Sequence, residues 1–135
     1  MYTFHGWAEI NVADIEDLPP GMSEKQLDAA VLSVRKAIAS YADGVSIFEL
    51  RPSSNNLWVV SVHGLRNRAH SHAIDLFRWL ADNLPESYGL LYVRDDEDAK
   101  RPNAFTVYRL ARGKLDELVD GFLSPCVPII ETELT

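Results

Sequence analysis

Polar and apolar residues alternate from the start of the chain. Over 2–12, Phe4, Ala8, Ile10 and Val12 fall on one side, and Thr3, His5, Trp7, Glu9 and Asn11 on the other. A period of two marks a strand with one buried face. Pro19-Pro20-Gly21 breaks that pattern, and a different period follows. Leu27, Val31, Val34, Ile38 and Tyr41 recur at intervals of three and four, which puts them on one face of a helix. Ser23 with Gln26 has the form of a capping box, and Met22 with Leu27 the spacing of a hydrophobic staple. Gly44, just past the last periodic residue, suits the left-handed position that often ends a helix.

Two β-rich runs, 45–51 and 57–63, flank the turn-prone Pro52-Ser53-Ser54-Asn55-Asn56 and predict a hairpin. A second helix is predicted over 70–84, where Ala73, Phe77, Leu80, Ala81 and Leu84 share a face and Pro85 follows. Strands over 87–94 and 104–111 flank a polar loop from Asp95 to Asn103, and the tail from Leu115 reads as one helical turn ended by Gly121, then extended chain. The predicted order is β-α-β-β-α-β-β. Its first six elements match the split β-α-β pattern of ferredoxin-like sheets. The expected fold is therefore α+β, a single antiparallel layer of five strands with two helices on one face. No repeat or linker divides the chain, so one domain over 1–135 is expected. The uncovered face of such a sheet is the natural place to look for function.

Composition narrows the partners. Hydrophobic residues make up 47% of the chain, enough for a core. Lys and Arg number 13 against 20 Asp and Glu, for a net charge of -7. Binding nucleic acid or an anionic membrane requires cations that this chain does not have to spare. A basic protein partner suits it better, because complementary fields speed encounter. Cys126 is the lone cysteine, so no internal disulfide can form. With no basic start followed by an apolar run, and no membrane-length apolar stretch, a cytoplasmic location is expected.

The most conspicuous charged feature is Asp95-Asp96-Glu97-Asp98. Such a run can be a solvated hairpin loop, a partner-facing acidic patch or a site for a hard cation. The spacing of a calcium loop is missing, and Arg94, Lys100 and Arg101 stand by as counter-charges. His70 and His72, if helical, diverge by about 200°, which does not suit paired metal ligands. Cys126, within Ser124-Pro125-Cys126-Val127-Pro128, has no local activating group and reads as a packed thiol. No phosphate-binding glycine loop or nucleophile elbow is present, so the case for an enzyme or a cofactor is thin.

Two tryptophans are candidate anchors. Trp79 lies about 200° round the second helix from Phe77, beside His72 and Asp75, and either anchors a partner or is covered by the tail. Trp7 shares its strand face with His5 and Glu9. If Tyr88, Tyr92 or Tyr108 came up beside it, the open sheet would carry an aromatic patch rimmed by acids. Sheets that stack RNA bases on aromatics surround them with basic charge instead. The alternative is that the C-terminal segment covers this face.

Four blocks also carry a family resemblance: His5-Gly6-Trp7; Ser87-Tyr88-Gly89-Leu90-Leu91-Tyr92-Val93-Arg94-Asp95-Asp96-Glu97-Asp98; Arg112-Gly113-Lys114-Leu115; and Asp120-Gly121-Phe122-Leu123-Ser124-Pro125-Cys126-Val127-Pro128. Together they resemble the immunity protein 7 family of bacterial polymorphic-toxin and contact-dependent inhibition systems. The similarity spans nearly the whole chain, and 45–66 is its least distinctive stretch. The resemblance implies a small α+β protein, encoded beside a secreted or contact-delivered toxin, that blocks the toxin domain inside the producing cell. It implies no catalysis and no cofactor. The matched blocks nominate Trp7 and the Asp95–Asp98 loop, to which the residue reading adds Glu9, Asp75 and Trp79 as toxin-binding candidates. The expected partner is a cognate toxin C-terminal domain, with a basic nuclease as one candidate. Two rivals remain: a small metal-dependent hydrolase using the acidic loop with His63 or His70, and a self-associating module with a ligand between subunits.

Overall fold

The alternation that opens the chain becomes the centre of a sheet. In the computed structural model, which describes residues 1–12 and 22–123 and only the backbone of Met22 and Ser23, strand β1 (Tyr2–Ile10) is paired on both sides. Helix α1 (Met22–Tyr41), strand β2 (Ile47–Pro52), strand β3 (Trp58–Arg66), helix α2 (His72–Asn83), strand β4 (Tyr88–Asp95), strand β5 (Thr106–Ala111) and strand β6 (Lys114–Val119) follow in order. The sheet runs β2-β3-β1-β4-β5-β6, with every neighbouring pair antiparallel. The first four strands take the ferredoxin-like order, and β5 and β6 extend it past β4.

The sheet has six strands, not the expected five. Residues 114–119 form β6 where a helical turn was expected. The cause is the two-residue link Arg112-Gly113, which takes positive φ at both positions (53° and 73°) and brings Ala111 opposite Lys114. Two consecutive left-handed residues give the turn whose twist suits a tight hairpin. Gly113 N–H then donates to the Pro85 carbonyl at 3.1 Å, which ties the hairpin to the α2–β4 loop.

Both helices cover one face. Phe4, Ala8 and Ile10 of β1, Val60 and Val62 of β3, and Leu91 of β4 point into the core there. They meet Val31 and Val34 of α1 and Leu76, Phe77 and Leu80 of α2. Phe4 sits directly across from Gly64, where an added Cβ would fall about 2.5 Å from the ring, so the absence of a side chain makes the room. The Arg35 guanidinium lies 5.5 Å from the centre of the Trp58 ring, which fastens α1 to β3.

A polar clamp closes one end of the helix layer. Asp43, whose side chain is 2% exposed, accepts the N–H groups of Val45 and Ser46 at 2.9 and 2.7 Å and the Ser46 hydroxyl at 2.6 Å. The Arg66 guanidinium stands 3.5 Å away. Burial alone would raise the Asp43 pKa, but these hydrogen bonds and Arg66 outweigh it and hold the carboxyl well below the usual range. Next to the clamp, His72 Nδ1 is 2.8 Å from the Tyr41 carbonyl, joining the start of α2 to the end of α1. The capping box and staple predicted at Met22 and Ser23 depend on side chains outside the described residues, as do Pro19-Pro20-Gly21 and the Cys126 segment.

Candidate partner-binding surface

Because side chains of directly paired residues share a face, the register lays out the open side of the sheet row by row. One row runs edge to edge through Ile47, His63, His5, Tyr92, Val107 and Leu118. The next contains Glu49, Ser61, Trp7, Leu90, Arg109 and Asp116, and a third sets Arg51, Val59, Glu9 and Tyr88 side by side. In the second row Trp7 and Leu90 thus lie in the middle, with the charged Glu49, Arg109 and Asp116 toward the edges. An Arg109–Asp116 ion pair at 3.2 Å and an Arg51–Glu49 pair at 3.2 Å stand there.

Trp7 and Tyr88 are the exposed centre. They are 40% and 46% exposed, and as diagonal neighbours across β1 and β4 their rings meet edge to face at 5.9 Å and 87°. The Glu9 carboxylate, directly opposite Tyr88, engages its hydroxyl and pushes the phenol pKa up. Tyr92 lies on the same face against Phe105 at 5.4 Å. Tyr108 does not join them, since its register with Leu91 and Glu117 turns it to the helix-covered side. The exposed His5 and His63 sit opposite each other, their rings 5.4 Å apart. That pair was missed in the sequence because nothing local predicts which strands will be neighbours. Residues 114–119, at the start of the tail, lie beside β5 as an edge strand, and among the described residues nothing crosses the centre of this face. The rest of the tail, expected as a possible cover for this face or for Trp79, lies outside the described residues.

The acidic loop sits at the end of the sheet, between β4 and β5, and it is internally ordered. Asp98 N–H donates to the Asp95 carbonyl, while the Asp95 and Asp98 side chains accept the N–H groups of Glu97 and Lys100 at 3.0 and 2.9 Å. Asp96 takes the Met1 amino group at 2.6 Å. Of the neighbouring cations, expected as counter-charges, Arg94 donates to the Pro102 carbonyl, while Arg101 donates to the Thr106 hydroxyl and stays on the side of Asp95 and Asp98.

The sequence-nominated residues are therefore not one cluster. Trp7 and Glu9 lie on the open face and Asp95–Asp98 at its end, whereas Asp75 and Trp79 belong to α2 on the far side. Trp79, expected to point away from the apolar stripe, is half-buried, because Ala37, Ser40 and Tyr41 of α1 flank it. Asp75 accepts the Ser71 hydroxyl at 2.8 Å in the first turn of α2, where a carboxylate offsets the positive helix end.

The histidines need a correction as well. α2 begins at His72, so His70 precedes the helix and the two rings meet at 4.5 Å instead of diverging. His70 Nε2 approaches Asp43 to 3.3 Å, within ion-pair distance but off the direction of a hydrogen bond. Burial lowers the His70 pKa and His72 adds to the effect, with Asp43 opposing them. Among the described residues, no three His, Cys, Asp or Glu side chains converge as a metal site would require. The metal-dependent hydrolase has no ligand set among them, and none of the described helices is long and apolar enough to cross a membrane.

Against known proteins, the model of the family described as Immunity protein 7 matches residues 1–132. No curated protein and no solved structure matches.

Proposed function

The chain belongs to the immunity protein 7 family, and from that premise we propose that it neutralises a cognate bacterial toxin domain by direct, stoichiometric binding. The observation that carries the proposal is the Trp7–Tyr88 pair, held edge to face in solvent on the uncovered side of the sheet. Large aromatic side chains exposed at the centre of a surface and ringed by charge are the usual anchors of protein interfaces. In this reading Trp7 and Glu9 anchor, and Asp95, Asp96, Glu97 and Asp98 steer. A toxin that acts on nucleic acid would present a basic groove, and the net charge of -7 would then speed association. Asp75 and Trp79 would take part only with a partner that reached round to the helical side. Inhibition by occupancy needs no catalytic group on this chain, and the protein would act in the cytoplasm of the cell that makes the toxin.

The test is capture from the native bacterium with this chain as bait, followed by association kinetics with whatever toxin domain is retained. A one-to-one complex is expected. Replacing Asp95, Asp96 and Asp98 together by Asn should slow association about 10-fold at low salt, more than it speeds dissociation. Capture of no toxin domain, with the toxin gene shown to be expressed, would overturn the proposal. An unchanged on-rate would remove the steering role alone.

A further inference from the structure

A cleft of about 400 Å³ opens on the helix-covered side, between the start of α2 and the β4–β5 loop. Asp95 and Asp98 reach it from the loop and Glu117 from β6, with Arg101 as the cation among them. Three carboxylates thus face one guanidinium across the cleft, and burial disfavours the charged form of the nearby His70. Each loop carboxylate gives one oxygen to a turn N–H and keeps the other. Ile74, Val93 and Ala104 supply apolar wall.

Charge alone would describe a solvated loop; the floor of the cleft shows more. Tyr2 lines it, is 3% exposed, and its hydroxyl has no hydrogen-bond partner among the described residues. That hydroxyl stands in the field of Tyr108 and Asp95, both walls of the same cleft. A buried hydroxyl left unpaired is unfavourable in the free protein, and a donor entering the cleft would satisfy it. We propose that this cleft receives an arginine side chain of the bound partner, its guanidinium among Asp95, Asp98, Glu117 and the Tyr2 hydroxyl and its methylene stem along Ile74 and Val93. A guanidinium carries five donors in a fixed fork, which fits an arrangement of several carboxylate oxygens and one phenol. The stem matches the apolar wall. This assignment rests on the toxin-binding reading, and it gives the acidic loop a docking role besides steering.

The probe is N-acetyl-arginine amide, titrated into the full chain and followed by the backbone amide signals of Ala69, Ser71, Ala104 and Thr106. Saturable shifts confined to these residues are expected at millimolar concentration. The neutral isostere N-acetyl-citrulline amide should bind about 10-fold more weakly, as should the arginine amide to the Asp95→Asn, Asp98→Asn double variant. Asn keeps the oxygen that accepts each turn N–H, so the loop stays folded. Tyr2→Phe should bind the probe several-fold more weakly with an unchanged or higher Tm, a pair of results that mere structural damage would not give. Equal binding of the citrulline amide, or shifts centred elsewhere, would overturn the proposal. Free arginine binding more than about 10-fold tighter than the amide would overturn it too, since that points to a small-molecule site whose carboxylate pairs with Arg101. Toxin capture without arginine selectivity removes the cleft alone; arginine selectivity in a chain that captures no toxin removes the immunity reading alone.

Discussion

The two faces of the sheet are made from the same strands, yet they follow different rules. On the covered face Phe4, Ala8 and Ile10 of β1 meet two helices and are closed off from water. One residue along in each case, His5, Trp7 and Glu9 stand on the uncovered side, with Trp7 as exposed as many surface polar groups. The covered face is chosen for volume and fit, the open face for what it can hold out to another molecule. The difference teaches that the hydrophobicity of a residue says little here until its parity along the strand is known. Trp7 is the larger apolar group, but Ala8 is the core residue.

That contrast can be broken in order of effect. Phe77→Ala, on the covered side, removes a large and fully buried ring and should lower stability by about 3–5 kcal/mol. Urea unfolding would measure it, and a loss below ~1 kcal/mol would mean the core can collapse around the gap. The Asp43 clamp comes next. Its carboxyl is held below the ordinary range when folded, so its contribution is complete above the unfolded value of roughly 3.9 and fades as the pH falls toward the folded value. Asp43→Asn should lower stability by about 2–3 kcal/mol at pH 7 and flatten the acid side of the stability profile. The same slope in both proteins would show that the clamp contributes nothing through its charge. Trp7→Ala should behave in the opposite way. Folding stability should shift by no more than about 0.5 kcal/mol, while affinity for the captured toxin domain drops by ~2 kcal/mol, about 30-fold. A Trp7 variant that unfolds the chain and binds normally would reverse the roles of the two faces.

Much of this contrast could be read from the chain. The period of two over 2–12 gave the correct faces of β1, and the periods of three and four gave both helices. The first six elements appear in the order expected. What escaped was decided by conformation or by distance. β6 was hidden because Leu115 and Leu118 have helical spacing and the Arg-Gly turn is not a strongly marked hairpin signal; only positive φ at both residues shows it. The flank of Trp79 was misjudged because a helical wheel shows one helix, not the second helix packed beside it. The His5–His63 pair, the unpaired Tyr2 hydroxyl and the Asp43 clamp depend on which distant segments become neighbours, and no local pattern contains that. The Trp7–Tyr88 contact is intermediate: both residues were visible as candidates, but their meeting required the β1–β4 register.

The strand order also bears on how the chain is born. β1 leaves the ribosome before both of its neighbours and sits at the centre, its partners being Trp58–Arg66 on one side and Tyr88–Asp95 on the other. At roughly 5–20 residues per second, Phe4, Ala8 and Ile10 wait seconds before β3 is available, and longer for β4. Throughout that interval the most buried strand of the finished sheet is a bare apolar segment that other chains can pair with. The last two strands face no such delay, because β5 and β6 close on each other across two residues. Synthesis therefore exposes β1 and protects β5 and β6, and a chaperone that shields nascent chains has most to do until β4 has emerged.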